Sequence, residues 1–210
     1  MRTFVAITTP PSGPVPAFLD DCRRRLDASR PDVKWVAPSH RHITLRFLGE
    51  VTDDSLAGIK KAVMSAAQAC APFEVRLTGW GAFPGTFRPQ TLWAAASAEE
   101  DALQHLESVV AQKLQTIGMP PEAKPFHPHI TLGRVRSSGG LNELARTLKD
   151  PCPPMDGVAF TVDHMTLFES VLSQTGPKYT ALLQAPLGVR PNPKSRIPNL
   201  GDIPKEETRG

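Results

Sequence analysis

A bilobed protein of mixed helices and strands, two pseudo-two-fold copies around one central site, is what the sequence predicts. Three observations carry that expectation. The tetrapeptide His-Ile-Thr-Leu occurs at 42–45 and again at 129–132, an offset of 87 residues. After each copy comes a helical segment and then a strand opening Phe-x-Val, at Phe73 and Phe160, again 87 apart. A period this long suits a duplication rather than a solenoid repeat, and a two-fold duplication makes a single site between the halves the natural expectation. The third observation is size: 210 residues bury a sizeable core as one large domain or two small joined ones.

The elements follow in order. Residues 3–8, TFVAIT, are β-branched and aromatic and run into Pro10-Pro11, predicting an opening strand. Pro14 to Ser29 reads as a helix with Phe18, Leu19, Cys22 and Leu26 inward, and its Arg23-Arg24-Arg25 run as a solvated face. A short Val33–Val36 stretch precedes the alternating strand His42–Gly49. Thr52 or Asp53 caps a helix from Ser55 to Ala71, in which Leu56, Ile59, Val63 and Ala66 recur at helical spacing. Phe73–Leu77 alternates as a strand, Trp80–Pro89 reads as a Gly/Pro-rich loop, and Thr91–Ala96 as an apolar strand. The longest helix is expected from Ala98 to Ile117, capped by Ser97 and stopped by Gly118 and Pro120-Pro121. The second strand with HITL, a helix Asn142–Leu148, a strand from Phe160 and a last strand Tyr179–Leu183 complete a domain over residues 1–185. From Pro186 the chain has five prolines, three glycines and no aromatic residue, and residues 186–210 are expected to be a disordered tail.

Composition narrows the function classes. With 40% hydrophobic and 21% charged residues, collagen-like, coiled-coil and wholly disordered readings are excluded. The 22 prolines are roughly twice the usual ~5%, implying many turns and short elements. A net charge of +3 is too mild for a protein that holds duplex DNA by charge alone and suits a small anionic ligand better. Cys22, Cys70 and Cys152 form no C-x-x-C pair and no metal-type spacing, so reduced thiols in a cytoplasmic protein are expected. No window approaches the ~18 apolar residues of a membrane span, and the N-terminus lacks a signal-peptide core.

Six histidines and sixteen threonines in random order would give roughly half an H-x-T occurrence; there are three, at His42, His129 and His164, each followed by leucine. Strand alternation puts His42, Thr44 and Arg46 on one face, opposite Ile43, Leu45 and Phe47. It puts His129, Thr131 and Gly133 together, opposite Ile130 and Leu132. His164 instead shares its face with Phe160, Val162 and Phe168, and reads as a hydrogen-bonded core histidine. No H-E-x-x-H, carboxylate cluster, lysine-bearing phosphate loop or G-x-S-x-G elbow is present, so neither metal nor cofactor is called for. Two imidazoles suit a reaction in which one proton is removed while another is supplied near neutral pH. Phosphodiester cleavage is such a reaction, with the threonine hydroxyls donating to the nonbridging oxygens where charge builds up. Residue types alone do not assign which histidine is acid and which base.

Together these residues resemble a family. Arg2-Thr3-Phe4, Trp35-Val36, HITLRFLGEV from His42, Phe83-Pro84 with Leu92-Trp93, FHPHITLGR from Phe126, and Ser170-Val171-Leu172 with Gly176 and Tyr179 are similar to the RNA 2',3'-cyclic phosphodiesterases. These are historically called 2'-5' RNA ligases and belong to the two-histidine phosphoesterase superfamily. The resemblance spans roughly residues 2–185 and is carried most specifically by the paired tetrapeptides. It implies an α+β fold with mainly antiparallel sheets lining a central cleft and helices outside. It implies metal-independent opening of a terminal 2',3'-cyclic phosphate on RNA to a 2'-phosphomonoester, with His42 as proton donor, His129 as acceptor, and Thr44 and Thr131 as phosphate contacts. Arg134 stands at the family's arginine after the second motif, yet strict alternation points it away from His129 unless a bulge intervenes. Arg46 has the better parity, and Tyr179 or Trp35 is placed to stack a terminal base. The expected partners are RNA 3' ends or small cyclic nucleotides, with no membrane and no obligate protein partner, the chain acting as a monomer. Reversible 2'-5' joining and a non-catalytic RNA-end binding module are the alternatives.

Overall fold

The computed structural model describes residues 1–28, 30–150, 152, 158–173 and 176–188. Among the described residues nine strands, β1 (Arg2–Thr8), β2 (Val33–Trp35), β3 (His42–Glu50), β4 (Phe73–Phe83), β5 (Thr91–Ala98), β6 (His129–Val135), β7 (Ala159–Val162), β8 (His164–Ser173) and β9 (Gly176–Pro186), form one sheet. Its order is β7-β4-β5-β6-β3-β1-β8-β9, with β2 added beside β6, and every pairing is antiparallel. The two expected lobes are therefore halves of a single sheet, joined at β3 and β6 through the pair Ile43 and Ile130.

The helices are α1 (Pro14–Asp27), α2 (Asp53–Gln68), α3 (Ala102–Gln115) and α4 (Leu141–Thr147). They lie outside the cleft as two pairs, α2 on α3 and α1 on α4. With the 87-residue offset, α1 corresponds to α3 and α2 to α4, so each pair takes one helix from each copy. The duplication thus extends further back than the motifs revealed, to β1-α1 and β5-α3. Two pairings join residues to their own counterparts, Ile43 to Ile130 and Glu74 to Thr161, each 87 positions apart. The pseudo-dyad runs through both.

Local chemistry accounts for the elements. The Thr52 side chain caps α2 by accepting from the Ser55 backbone N–H at 3.3 Å, and Ile59, Ala62, Val63, Ala66 and Ala67 turn inward. Phe18, Leu19, Cys22 and Leu26 do the same on α1. Ile43, Leu45, Ile130 and Leu132 face the helices fully buried; each such side chain contributes about 1.5–3 kcal/mol. The 3.7 Å between the Lys34 ammonium and the position of a Cβ on Gly176 shows that the sheet curls. β2 and the β8–β9 hairpin stand on opposite sides of the sheet's middle, yet they meet.

Several expectations shift. Trp80–Phe83 is strand, not loop: Gly79 and Gly81 continue β4, and a Cβ on Gly81 would lie 2.4 Å from the Trp93 ring. Ser97 belongs to β5 and caps nothing; a short turn with left-handed Glu100 and Asp101 (φ 52° each) delays α3 to Ala102. Pro186 is not part of a disordered tail: it closes β9. Leu187 is buried and donates its N–H to Asp163, and the Gly188 N–H meets the carbonyls of Ala67 and Cys70 at the end of α2. The rest of the expected tail, like Ser29, lies outside the described residues.

Candidate active site

The two HITL strands are neighbours at the centre of the sheet. The antiparallel register set by Ile43 and Ile130 brings His42 beside Thr131 and Thr44 beside His129, so each imidazole faces a hydroxyl of the other lobe. All four side chains are half-buried on the concave face. The imidazoles are held alike: Nδ1 of His42 lies 2.7 Å from the His40 carbonyl, and Nδ1 of His129 lies 2.6 Å from the His127 carbonyl. A carbonyl only accepts, so each Nδ1 carries a proton and donates it, leaving Nε2 for a ligand. The segment before β3 is anchored by the buried Arg41, whose Nη2 pairs with Asp20 of α1 at 2.6 Å; proline stands at the corresponding position 128.

Burial lowers the His42 pKa to about 4, with the positive charges of His129, His40 and Arg134 adding to the effect and the hydrogen bond to His40 opposing it. His129 is lowered too, chiefly by burial, with His127 and Arg134 contributing and its own carbonyl hydrogen bond opposing. The charge of His129 thus reaches His42. An anion lying between them would oppose both effects and favour protonation.

The arginines exchange the places expected of them. In β3 the register passes from Ala6–Thr44 to Val5–Arg46, skipping Leu45; in β6 it passes from Trp93–Thr131 to Leu92–Gly133, skipping Leu132. The same irregularity stands in both copies, 87 residues apart, and beyond it the alternation inverts. Arg46 therefore turns inward: it is 5% exposed, donates to the Pro120 carbonyl and lies 3.7 Å from Glu122. It is not a cleft residue. Gly133 likewise turns to the outer face, while Phe47 and Arg134 come to the concave face. Arg134 donates from Nη1 to the Thr91 hydroxyl at 3.3 Å, and its charge reaches His42, His129 and Tyr179.

Tyr179 of β9 lies beside the first motif, with ring centroids 4.8 Å from His40, 5.6 Å from His42 and 5.1 Å from Phe4. Burial raises its hydroxyl pKa. It borders a cavity of about 230 Å³ with Thr8, Ser39, His40, His42 and Phe168. Trp35 lies elsewhere: it covers the outer face of Gly133, its Nε1 donates to Asp27 at 3.1 Å, and the Arg23 guanidinium lies over its ring. A base-stacking role for Trp35 is thereby withdrawn. His164 is no core residue either; it is half-exposed at the start of β8, with Nδ1 2.5 Å from Asp163. Phe47 is the residue that alternation missed. It is 61% exposed beside Phe4, and Phe4 packs on His42 with centroids 5.0 Å apart. The missing signal was there: the buried positions run Ile43, Leu45, Leu48, slipping out of step at the irregularity.

This arrangement offers a proton donor or acceptor on each side of one concavity, two hydroxyls and a guanidinium. The family model of the 2'-5' RNA ligase superfamily matches residues 10–173. A Thermus thermophilus protein named RNA 2',3'-cyclic phosphodiesterase is 33% identical over 189 residues, covering 87% of this chain and 88% of that one. An Aeropyrum pernix protein of the same name is 32% identical over 152 residues, covering 72% of this chain and 85% of that one. A crystal structure from Thermus thermophilus superposes with a TM-score of 0.73 at 30% identity, covering 90% of this chain and 100% of the other.

Proposed function

The chain belongs to the 2'-5' RNA ligase superfamily, and from that premise we propose that it hydrolyses the terminal 2',3'-cyclic phosphate of RNA to a 2'-phosphomonoester. The observation that carries this reading is the matched pair of imidazoles, each donating Nδ1–H to a carbonyl and each set beside a threonine from the other lobe. His129 accepts a proton from water as the oxygen attacks phosphorus; His42 donates a proton to the 3' oxygen as its bond to phosphorus breaks. One bond forms, one breaks, and the two imidazoles end with exchanged protonation states, reset by solvent. Thr44 and Thr131 donate to the nonbridging oxygens, and Arg134 offsets the charge that develops there. Tyr179 packs beside His42, and Phe47 beside Phe4, which itself packs on His42; these rings supply a flat apolar surface for the terminal nucleoside.

His42 at about 4 is a poor donor by itself, so the anionic substrate must raise it. Donor, acceptor and countercharge all come from this chain, and no divalent ion is required in the reading. No helix among the described residues is long and apolar enough to cross a membrane. We place the protein in the cytoplasm, working as a monomer. The test is incubation of the full chain with an oligoribonucleotide ending in a 2',3'-cyclic phosphate, in EDTA, with product mapping. A 2'-phosphate is expected. A 3'-phosphate would overturn the assigned leaving group, no product with retained binding would favour the binding module, and a 2'-5' joined product would favour ligation.

A further inference from the structure

β2 is three residues long and stands beside β6, with Lys34 directly opposite Arg134. Residues directly opposite each other share a face. Val33 and Trp35, which flank Lys34, cover the outer side of Gly133, so Lys34 is on the concave side with Arg134. Thr91 continues the row on β5, opposite Arg134 from the other direction. Like charges set directly opposite across a sheet are unfavourable. Here the described residues supply no carboxylate to either: Arg134 hydrogen-bonds only the Thr91 hydroxyl, and the Lys34 ammonium extends toward Gly176 at the base of the β8–β9 hairpin. Several cations elsewhere are neutralised, as Arg41 by Asp20, Arg46 by Glu122, and Arg24 and Arg25 by Asp21. What sets Lys34 and Arg134 apart is that they stand directly opposite each other on the concave face, with no carboxylate from the described residues between them.

We infer that Lys34, next to Arg134, is a binding residue for a backbone phosphate upstream of the reacting end, so that the substrate is an oligonucleotide rather than a free cyclic mononucleotide. This deepens the proposed function and rests on it for the identity of the reacting end. A cyclic mononucleotide carries only the phosphate between the two histidines and has nothing to offer Lys34. A chain entering the curled sheet between β2 and the hairpin brings a second anion to it.

The experiment compares Lys34→Met, which keeps the aliphatic stem against the hairpin, and Lys34→Arg, which restores the charge, with the unchanged protein. Two substrates are used, a short oligoribonucleotide with a 2',3'-cyclic end and a 2',3'-cyclic mononucleotide. Binding of the oligonucleotide is read by fluorescence anisotropy between ~50 and ~200 mM salt, alongside kcat/KM for both. Lys34→Met is expected to weaken oligonucleotide binding about fivefold at low salt and to flatten the slope of log affinity against log salt by about 0.7, one single-strand phosphate contact. Mononucleotide turnover should be unchanged, and Lys34→Arg should recover both slope and affinity. An unaltered salt slope, or equal losses on the two substrates, overturns the inference. If the unchanged protein turns over neither substrate, the catalytic reading fails, and the slope measured by binding still decides the role of Lys34.

Discussion

The two lobes place the same reactive groups in the same way and then diverge one residue later. His42 and Thr44 repeat as His129 and Thr131, with the same carbonyl clasp on Nδ1. Past the irregularity, the cross-strand pair Phe4–Phe47 of one lobe becomes Thr91–Arg134 in the other. Behind each motif, His40 stacks near Tyr179 and His127 near Phe83. Chemistry is thus symmetric and recognition is not. In the proposed reaction, a substrate between such lobes would have one good orientation, its charge toward Arg134 and its flat, apolar part toward Phe47. That asymmetry is what distinguishes two chemically identical imidazoles; the donor and acceptor roles proposed for them come from the family resemblance.

The largest expected effect tests the symmetric part. Replacing either His42 or His129 with alanine should lower kcat on a cyclic-phosphate oligonucleotide by about a thousandfold or more, equally for both, with the circular dichroism spectrum retained. A variant that kept most of its turnover would break the pairing. Arg134→Met should cost about a hundredfold in kcat/KM, mostly in kcat, because its charge acts on the developing oxyanion. Phe47→Ala, its counterpart by the repeat, should cost about tenfold, mostly in KM. Equal partition of the two losses between kcat and KM would erase the distinction between lobes.

Acid should sharpen it differently. The folded protein holds His42 at about 4 against 6.5 ordinarily, so proton uptake favours the unfolded chain. Stability from this group is full above about 6.5 and is lost as pH falls toward 4, which thermal melts at stepped pH would follow. Adding a phosphate-bearing ligand should move the His42 imidazole signal in NMR toward a higher pKa; no movement would remove His42 from the anion's neighbourhood. The smallest kinetic effect belongs to Arg46, the residue that alternation placed in the cleft. Arg46→Met should cost about 2 kcal/mol in denaturant unfolding through Glu122 and Pro120, with turnover unchanged.

What the sequence made legible was whatever leaves a periodic trace. The duplication showed in equal offsets, and the cleft face showed in alternation as far as Leu45 and Leu132. There the chain gains one residue against its neighbour, and reading by parity goes wrong for Arg46, Phe47, Gly133 and Arg134 together. A bulge is a property of the pairing, and the partner strand is unknown from one sequence. Trp35 was misplaced for a related reason: only the fold shows that Gly133 leaves room for it. Gly79 and Gly81 resembled loop residues because glycine also serves where an aromatic ring packs onto backbone, as Trp93 does at Gly81. The first part of each repeat, β1-α1 against β5-α3, left no shared motif and appeared only as geometry.

The self-matched contacts at Ile43–Ile130 and Glu74–Thr161 have an ancestral consequence. A polypeptide of half this length, associating with an identical molecule across those same two seams and exchanging strands, would assemble as a homodimer with two equal catalytic arms. Such an assembly is bound to accept its ligand in either direction. Fusing the genes lifts that obligation, since each half then varies alone, and a phenylalanine facing an arginine is the mark of a molecule that has learned to tell its left hand from its right.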